Sequence, residues 1–452
     1  MLIKRGFLVQ EDGLRQADLR ITDGKISQIA PELTPFSEEE VVDASGKYLF
    51  PGGVDVHTHF DMPAANCNTV DDFASASYAA ITGGTTTVID FAECVQPDCL
   101  AEGLETWHKK ADGNSYCDYG FHMTLVCWKD GMEEQVRQMM AQGISSFKAY
   151  TACKGVMGVD DTQLYQMMEC LQRMGAVLCV HCENGEVLDY LQQKYKKTDA
   201  ANVAFHPLSR PNLVEKEAIS RVLDFAAMTG VTVYLVHVST KEAVQVIADA
   251  KKRGQNVFAE TCPHYLLLDD SLYHLPDFEA AKYVMSPPLR KPQDQQALWE
   301  GLVNQVIDTV STDHCSFTFQ EQKALGKEDF TQIPNGIPGV EHRVELMLTY
   351  GILHGLSLVE LSKKLATNPA RIFGMYPQKG VLAQGSDADI LMVDLQHPHT
   401  ITADTSVQKT DYTPFEAMAS RVLIESVFLR GKQVVKDHRV IAEQPTGRFM
   451  KR

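Results

Sequence analysis

The sequence contains no apolar run that approaches the ~20 residues needed for a membrane-spanning helix. Its first ten residues turn polar at Lys4 and Arg5, too early for the apolar core of a secretory signal. Basic residues are also few, with 42 Lys and Arg against 59 Asp and Glu and a net charge of −17. This balance disfavours nucleic acid and anionic membrane surfaces as partners. We therefore expect a cytoplasmic protein that binds neither.

The chain also lacks internal repeats, low-complexity segments and a cysteine pattern typical of disulfide scaffolds. Its 11 cysteines are spread over 452 residues. One Cys-x-x-Cys pair, Cys179 and Cys182, closes an apolar run instead of opening a helix, which favours two small buried side chains over a redox pair. With 44% apolar and 22% charged residues, the composition is that of an ordinary globular protein and excludes disorder.

Both ends of the chain are predicted to form short β-strands between Gly and Asp turn residues. The candidate strands are residues 2–3, 7–9, 17–21, 26–29, 380–382, 388–394, 422–429 and 433–436. Chain termini usually lie at the surface, where they can meet. We therefore predict that residues 1–50 and 376–452 together form one small β-sandwich domain.

The middle of the chain, residues 51–375, alternates strands rich in Val, Ile and Thr with amphipathic helices. Such alternation predicts an α/β fold with a parallel sheet covered by helices. Eight strands favour a closed (β/α)₈ barrel over an open sheet. The predicted strands are residues 53–59, 85–91, 119–126, 145–150, 177–182, 231–238, 256–262 and 306–313, and four clear helices are 131–142, 161–174, 215–228 and 241–252.

Reactive side chains are expected at the carboxyl ends of barrel strands. Six such residues stand at or near these ends in this sequence: His57, His59, Lys148, His181, His237 and Asp313. His57 and His59 share one side of their strand, roughly 6.6 Å apart along it. Each residue alone is weak evidence, but their joint order along one barrel indicates a functional site.

Imidazole and carboxylate groups are ligands for zinc or a similar divalent ion. Four His and one Asp exceed the needs of one tetrahedral ion, so two ions fit the set. A lysine amine bridges metals poorly, whereas its carbamate, formed with carbon dioxide, offers two oxygens and a negative charge. A cysteine nucleophile at Cys315 beside His314 is disfavoured, because adjacent strand residues point to opposite faces.

These residues lie in motifs that together resemble the amidohydrolase superfamily. The motifs are Gly-Gly-Val-Asp-Val-His-Thr-His at 52–59, Ser-Phe-Lys at 146–148, Val-His-Cys-Glu-Asn at 180–184, Leu-Val-His-Val-Ser at 235–239 and Ser-Thr-Asp-His at 311–314. Three more resemble the dihydropyrimidinase and hydantoinase branch: Ser-Pro-Pro-Leu-Arg at 286–290, Asn-Gly-Ile-Pro-Gly at 335–339 and Gly-Arg-Phe-Met-Lys-Arg at 447–452.

The resemblance implies a barrel with a terminal β-sandwich, two Zn²⁺ ions, a carboxylated bridging Lys148 and a homo-oligomer, a tetramer or a dimer. His57, His59 and Asp313 would hold one ion, and His181 and His237 the other. Ser286 and Asn335 would contact the amide of a cyclic substrate. Asp313 would shuttle a proton during hydrolysis to an N-carbamoyl amino acid.

One position departs from the branch, whose members usually carry a tyrosine five residues after the bridging lysine. Here Cys153 takes that place, and a thiol is a weak donor to an oxyanion. Tyr150, two residues beyond Lys148, should share the side of the strand that Lys148 faces. The sequence alone does not place its hydroxyl.

We expect hydrolysis of a hydantoin or dihydropyrimidine. Two alternatives stay open: another cyclic ureide or imide such as allantoin, and a non-catalytic scaffold. Loops 62–70 and 94–99 are expected to select the ring substituent, and the long irregular segment 316–339 is also expected to be functional.

Overall fold

The computed structural model describes residues 1–64, 67–94 and 99–452. The chain begins with hairpins, and Asp23 and Gly24 both adopt the positive φ (52° and 77°) that a tight two-residue hairpin turn requires. The first five strands are β1 (Leu2–Gln10), β2 (Gly13–Thr22), β3 (Lys25–Ala30), β4 (Val41–Asp43) and β5 (Tyr48–Pro51).

The next eight strands form a parallel sheet in sequential order that curls into a barrel. They are β6 (Gly53–Thr58), β7 (Thr85–Ala92), β8 (Asp118–Thr124), β9 (Ser146–Lys154), β10 (Val177–His181), β11 (Thr232–Leu235), β12 (Val257–Thr261) and β13 (Thr309–Val310). His59 N donates to His314 O at 2.9 Å, which joins the first strand to the last. The predicted (β/α)₈ barrel is confirmed.

Helices cover the barrel because each presents an apolar stripe to the sheet. Helix α4 shows how the sequence sets their ends: Asp160 and Gln163 form a capping box at its start, and Gly175 in the left-handed region ends it. The helices are α1 (Phe73–Thr82), α2 (Leu100–Ala111), α3 (Met132–Ala141), α4 (Asp161–Met174), α5 (Gly185–Lys196), α6 (Phe205–Leu208), α7 (Asn212–Thr229), α8 (Lys241–Lys252), α9 (Pro263–Leu267), α10 (Pro292–Val303), α11 (Arg343–Leu353), α12 (Leu358–Ser362) and α13 (Asn368–Ile372).

The chain ends in strands β14 (Ile390–Asp394), β15 (His399–Thr400), β16 (Ala419–Ser420), β17 (Leu423–Leu429), β18 (Lys432–Lys436) and β19 (Arg439–Val440). Both termini join in one sheet, in the order β19-β18-β17-β14-β5-β1-β2-β3, with β4 beside β1. The predicted terminal β-structure is therefore confirmed.

Two of the strand predictions that differ from the structure do so for local reasons. The last barrel strand ends at Val310 instead of residue 313, because Thr312 bonds to the Asp55 carboxylate with its backbone N–H and its hydroxyl. Residues 380–382 form no strand, since Gly380 has a φ of 80° and its carbonyl accepts from the Thr367 hydroxyl. Among the described residues, no helix has both the length and the apolar character to cross a bilayer.

Candidate active site

The carboxyl ends of five barrel strands bring six of the predicted side chains to one cavity. His57 lies near the end of β6, Lys148 within β9 and His181 at the end of β10. His59, His237 and Asp313 follow the ends of β6, β11 and β13. All six line a cavity of about 840 Å³ at the barrel mouth.

Two histidines converge on one carboxylate. The Nε2 atoms of His57 and His59 lie 3.0 and 3.2 Å from Asp313 Oδ1. Despite this short distance, the buried His57 Nε2 forms no well-directed hydrogen bond with any described residue. Its other ring nitrogen, Nδ1, lies 2.6 Å from Glu260 Oε1, which fixes the ring orientation. A metal-binding histidine typically has one ring nitrogen held by a carboxylate and the other left without a hydrogen bond, available to the ion.

A second pair of histidines faces the same space. His181 Nδ1 and His237 Nε2 lie 2.9 Å apart, and His181 Nε2 lies 2.9 Å from Glu183 Oε2. Ligand atoms of His57, His237 and Asp313 all lie within 4.8 Å of one another. Both histidine pairs therefore fit a centre of divalent ions.

Lys148 is buried between the two groups. Its Nζ lies 4.4 Å from the Phe91 ring centre and 5.0 Å from the Tyr150 ring centre. Burial lowers the pKa of Lys148, which enlarges the fraction of neutral amine. Because only the neutral amine adds to carbon dioxide, this environment fits carboxylation.

Burial also keeps most of these imidazoles neutral, as metal binding requires. It lowers the pKa of His59 to about 4, and it lowers the pKa of His181 and His237 as well. His57 differs: burial opposes its protonation, but Asp313 and Glu260 outweigh burial and raise its pKa to about 9. The pKa of Asp313 stays well below its usual range because His57 and His59 outweigh burial.

The backbone is strained where it presents three of the site residues. His237, Asp313 and Cys153 have φ angles of 39°, 50° and 56°. Left-handed conformations are costly for residues other than glycine and cluster at functional sites. Both His237 and Asp313 line the cavity from these strained positions.

The predicted substrate contacts line the same cavity. Ser286 Oγ donates to Asn335 Oδ1 at 2.8 Å, so these two residues meet although 49 positions separate them. Tyr150 is buried against His181, with ring centres 5.5 Å apart. Cys153 is exposed to the cavity at the start of a tight reversal. Parts of the predicted selectivity loops, residues 65–66 and 95–98, lie outside the described residues.

Sequence reasoning missed several acidic residues around this cluster. Glu260 holds His57, while Glu183 contacts both His181 and Arg210. Glu260 had a usable signal, because it is a charged residue inside a strand predicted to be buried. Glu93, which lines the cavity, follows directly after its strand and resembles an ordinary surface residue.

The fold and this site define a barrel hydrolase with a place for two metal ions. The family described as the amidohydrolase family matches residues 48–434. D-hydantoinase from Geobacillus stearothermophilus is 42% identical over all of this chain and 96% of its own length. D-hydantoinase from Ralstonia pickettii is 41% identical over all of this chain and 98% of its own length.

A solved structure, dihydropyrimidinase from Brevibacillus agri NCHU1002, superposes with a TM-score of 0.98 at 40% identity and covers 100% of this chain and 98% of its own. The chain belongs to the amidohydrolase family, as its motifs predicted, and is a cyclic amidohydrolase.

Proposed function

We propose that the protein hydrolyses the cyclic amide bond of a hydantoin or dihydropyrimidine and releases an N-carbamoyl amino acid. One observation carries this proposal: six potential metal ligands and the Ser286–Asn335 pair line the same cavity. Relatives named D-hydantoinase and dihydropyrimidinase match the whole chain and support the same substrate class.

The proposed cofactor is a pair of divalent ions, with Zn²⁺ the preferred candidate for a His-rich ligand set. His57, His59 and Asp313 would hold one ion, His181 and His237 the other, and a carboxylated Lys148 would bridge them. Two buried nitrogens support this assignment, His57 Nε2 and Lys148 Nζ, because neither forms a well-directed hydrogen bond with a described residue.

When bound, the ions would supply Lewis acidity that activates a water and polarises the ring carbonyl. Asp313 would accept a proton from that water and pass it to the leaving ring nitrogen. Ser286 and Asn335 would hold the planar amide of the ring. The Tyr150 hydroxyl would donate a hydrogen bond to the oxyanion. The Cys153 thiol would be a poor donor in that role.

A different cyclic ureide or imide, such as allantoin, is the second candidate, and the cysteine at position 153 is the observation that favours it. A non-catalytic scaffold would be expected to have lost metal ligands. All six candidate ligands are present and converge here, which argues against that alternative.

The test is ring opening by the zinc-supplemented protein on dihydrouracil, hydantoin, 5-phenylhydantoin and allantoin. We expect turnover of a hydantoin or of dihydrouracil, its loss in Lys148→Ala, and a loss of more than about tenfold in Asp313→Asn with the metal retained. Turnover of allantoin alone would favour the second candidate. Two bound ions without turnover of any of the four would contradict the proposal. An Asp313→Asn rate within about tenfold of the parent would contradict the proton shuttle.

We also propose a homo-oligomer, a tetramer or a dimer. Exposed apolar side chains on the outer helices support it, among them Leu213, Met228 and Leu353, which are 65%, 68% and 71% exposed. Sedimentation measures the oligomeric state directly. The cytoplasmic location stays a prediction, supported by the presence of 11 free cysteines.

A further inference from the structure

Glu93 is a cavity residue that the reaction proposed above does not use. It lies two residues beyond Phe91, whose ring centre is 4.7 Å from that of His57 and 5.1 Å from that of His59. Because side chains alternate along extended backbone, Glu93 faces the barrel axis as Phe91 does, one layer nearer the mouth. Cys94 turns the other way, with its Sγ against Met123 and Thr124. Glu93 therefore borders the space above the metal ligands.

No hydrogen bond or ion pair is assigned to the Glu93 carboxylate within the described ranges. Asp90, three residues earlier, instead accepts from the Thr58 hydroxyl, the Phe60 N–H and the Trp107 indole. Burial, reinforced by Asp90, raises the pKa of Glu93 to about 7. The Glu93 side chain is half-buried and lines the cavity, so its carboxylate can accept hydrogen bonds from a ligand that supplies donors.

The charged side chains outside the proposed metal centre favour a cationic donor. Asp313, Lys148 and the histidines belong to that centre, whose ions carry their own charge. The other charged residues of the described lining are Glu93, Asp189 and Arg210. Arg210 is already paired with Glu183.

Part of the wall suits an alkyl stem. Val126, Val156, Met157 and Leu188 are apolar side chains that line the cavity. A volume of about 840 Å³ lies within the range of roughly 300–1,000 Å³ typical of small-molecule pockets. The cavity thus offers apolar surface for a chain and a carboxylate for its end.

We propose that Glu93 determines substrate specificity and selects cyclic amides whose ring substituent is an alkyl chain ending in an amine or guanidine. This inference rests on the cyclic amidohydrolase function proposed above. The carboxylate accepts hydrogen bonds from the cationic end, while the ring lies at the metal ligands. Glu93 then acts in binding and takes no part in bond cleavage.

A matched pair of substrates tests the proposal, namely racemic 5-(4-aminobutyl)hydantoin and 5-pentylhydantoin, which differ by an ammonium in place of a methyl. We expect the zinc-loaded parent enzyme to favour the aminobutyl compound in kcat/KM. Glu93→Gln keeps the shape of the side chain and should lower that preference by about 10- to 100-fold. This factor corresponds to the usual free energy of a hydrogen bond to a charged group. The loss should appear mainly as a higher KM for the aminobutyl compound.

Glu102→Gln is the matched control, because it removes an equal charge from the exposed first turn of α2, just after the same strand. It should leave the preference within twofold of the parent. A parent enzyme that prefers the pentyl compound, or a Glu93→Gln variant with an unchanged preference, would overturn the role of Glu93. A Glu93→Gln variant equally impaired on both substrates would also overturn it, because Glu93 would then serve the reaction itself. Failure to open either ring would instead count against the proposed function.

Discussion

The Tyr150 side chain combines burial with a hydroxyl to which no hydrogen-bond partner is assigned in the described part of the chain. Its ring lies 5.0 Å from Lys148 Nζ and packs on His181, which keeps the side chain beside the metal ligands. A buried hydroxyl usually has a partner. In this cavity the substrate can supply one, and the neighbouring Cys153 offers only a weak donor.

Tyr150→Phe should therefore lower kcat by about 10²-fold or more while changing KM little, because an oxyanion donor acts mainly in the transition state. The folded protein loses no assigned hydrogen bond, so its thermal midpoint should stay close to that of the parent. Steady-state kinetics and a melting curve measure both quantities. Tyr190→Phe on the outside of α5, where the side chain is 68% exposed, is the control. A kcat within threefold of the parent would remove Tyr150 from the reaction.

At this scale the sequence identified the residues that carry unusual chemistry at strand ends. His57, His181 and His237 were recognisable only together, because several histidines with an aspartate and a lysine at successive strand ends of one barrel are rarely incidental. Glu93 was not recognisable, because an acidic residue after a strand is also the normal sign of a surface turn. Glu93 lies in a cavity only because other elements form the opposite wall, and the sequence of one strand does not show that wall.

At the scale of elements, one buried lysine holds the Ser286 segment and the loop that carries Asn335 together. The buried Lys323 donates from Nζ to the carbonyls of Val284, Pro334 and Gly336 at 2.8, 2.6 and 2.7 Å. One buried lysine, whose pKa burial lowers to about 7, thus links both segments that present the proposed amide contacts. The predicted functional segment 316–339 contains this anchor on a short 3₁₀ turn, Lys323–Gly326.

Lys323→Met should loosen this link and raise KM for the ring substrate about tenfold, with a smaller change in kcat. The reason is that each hydrogen bond from this amine contributes about 0.5–1.5 kcal/mol, and 1.4 kcal/mol corresponds to a factor of ten. Steady-state kinetics on the best substrate of the panel give both constants. Lys327→Met, at an exposed position of the same loop, should change neither. Unchanged constants in Lys323→Met would show that the loop keeps its place without the anchor.

The elements themselves were largely predictable because their periodicity is strong. Helices α4 and α8 have the predicted bounds, since caps at Asp160 and Thr240 mark their starts. The last barrel strand was predicted too long. Its end is set by the Asp55 carboxylate, which lies more than 250 residues away in sequence.

At the scale of the whole molecule, the barrel and the terminal sheet meet around one buried lysine. Lys379 Nζ lies 2.5 Å from Asp118 at the start of β8, 2.7 Å from Asp389 and 3.1 Å from Asp387, both just before β14. Arg430, after β17, also pairs with Asp118. We propose that this network joins two domains with the limits expected from the sequence, residues 51–375 and residues 1–50 plus 376–452.

Lys379→Met should destabilise the protein by about 3–5 kcal/mol near pH 8, because it leaves the buried Asp389 without a cation and Asp118 with Arg430 alone. The pKa of Asp389 is raised by burial even in the parent, and removal of Lys379 should raise it further. A carboxyl group with a raised pKa destabilises the fold when ionised, and that penalty is relieved as the pH falls. The stability difference between parent and variant should therefore shrink between pH 8 and pH 5.

In the parent, Asp389, Asp118 and Asp387 outweigh burial and raise the pKa of Lys379 above its usual value. Its stabilising contribution is thus fully present throughout that pH window, since it is lost only above about pH 10.4. Urea unfolding at both pH values measures the difference. Lys25→Met is the matched control: Lys25 pairs with Asp387 at 2.9 Å but is 52% exposed, so it should cost less than about 1 kcal/mol. An equal loss for both variants, or a difference that grows as the pH falls, would mean that the buried network does not hold the barrel to the terminal sheet.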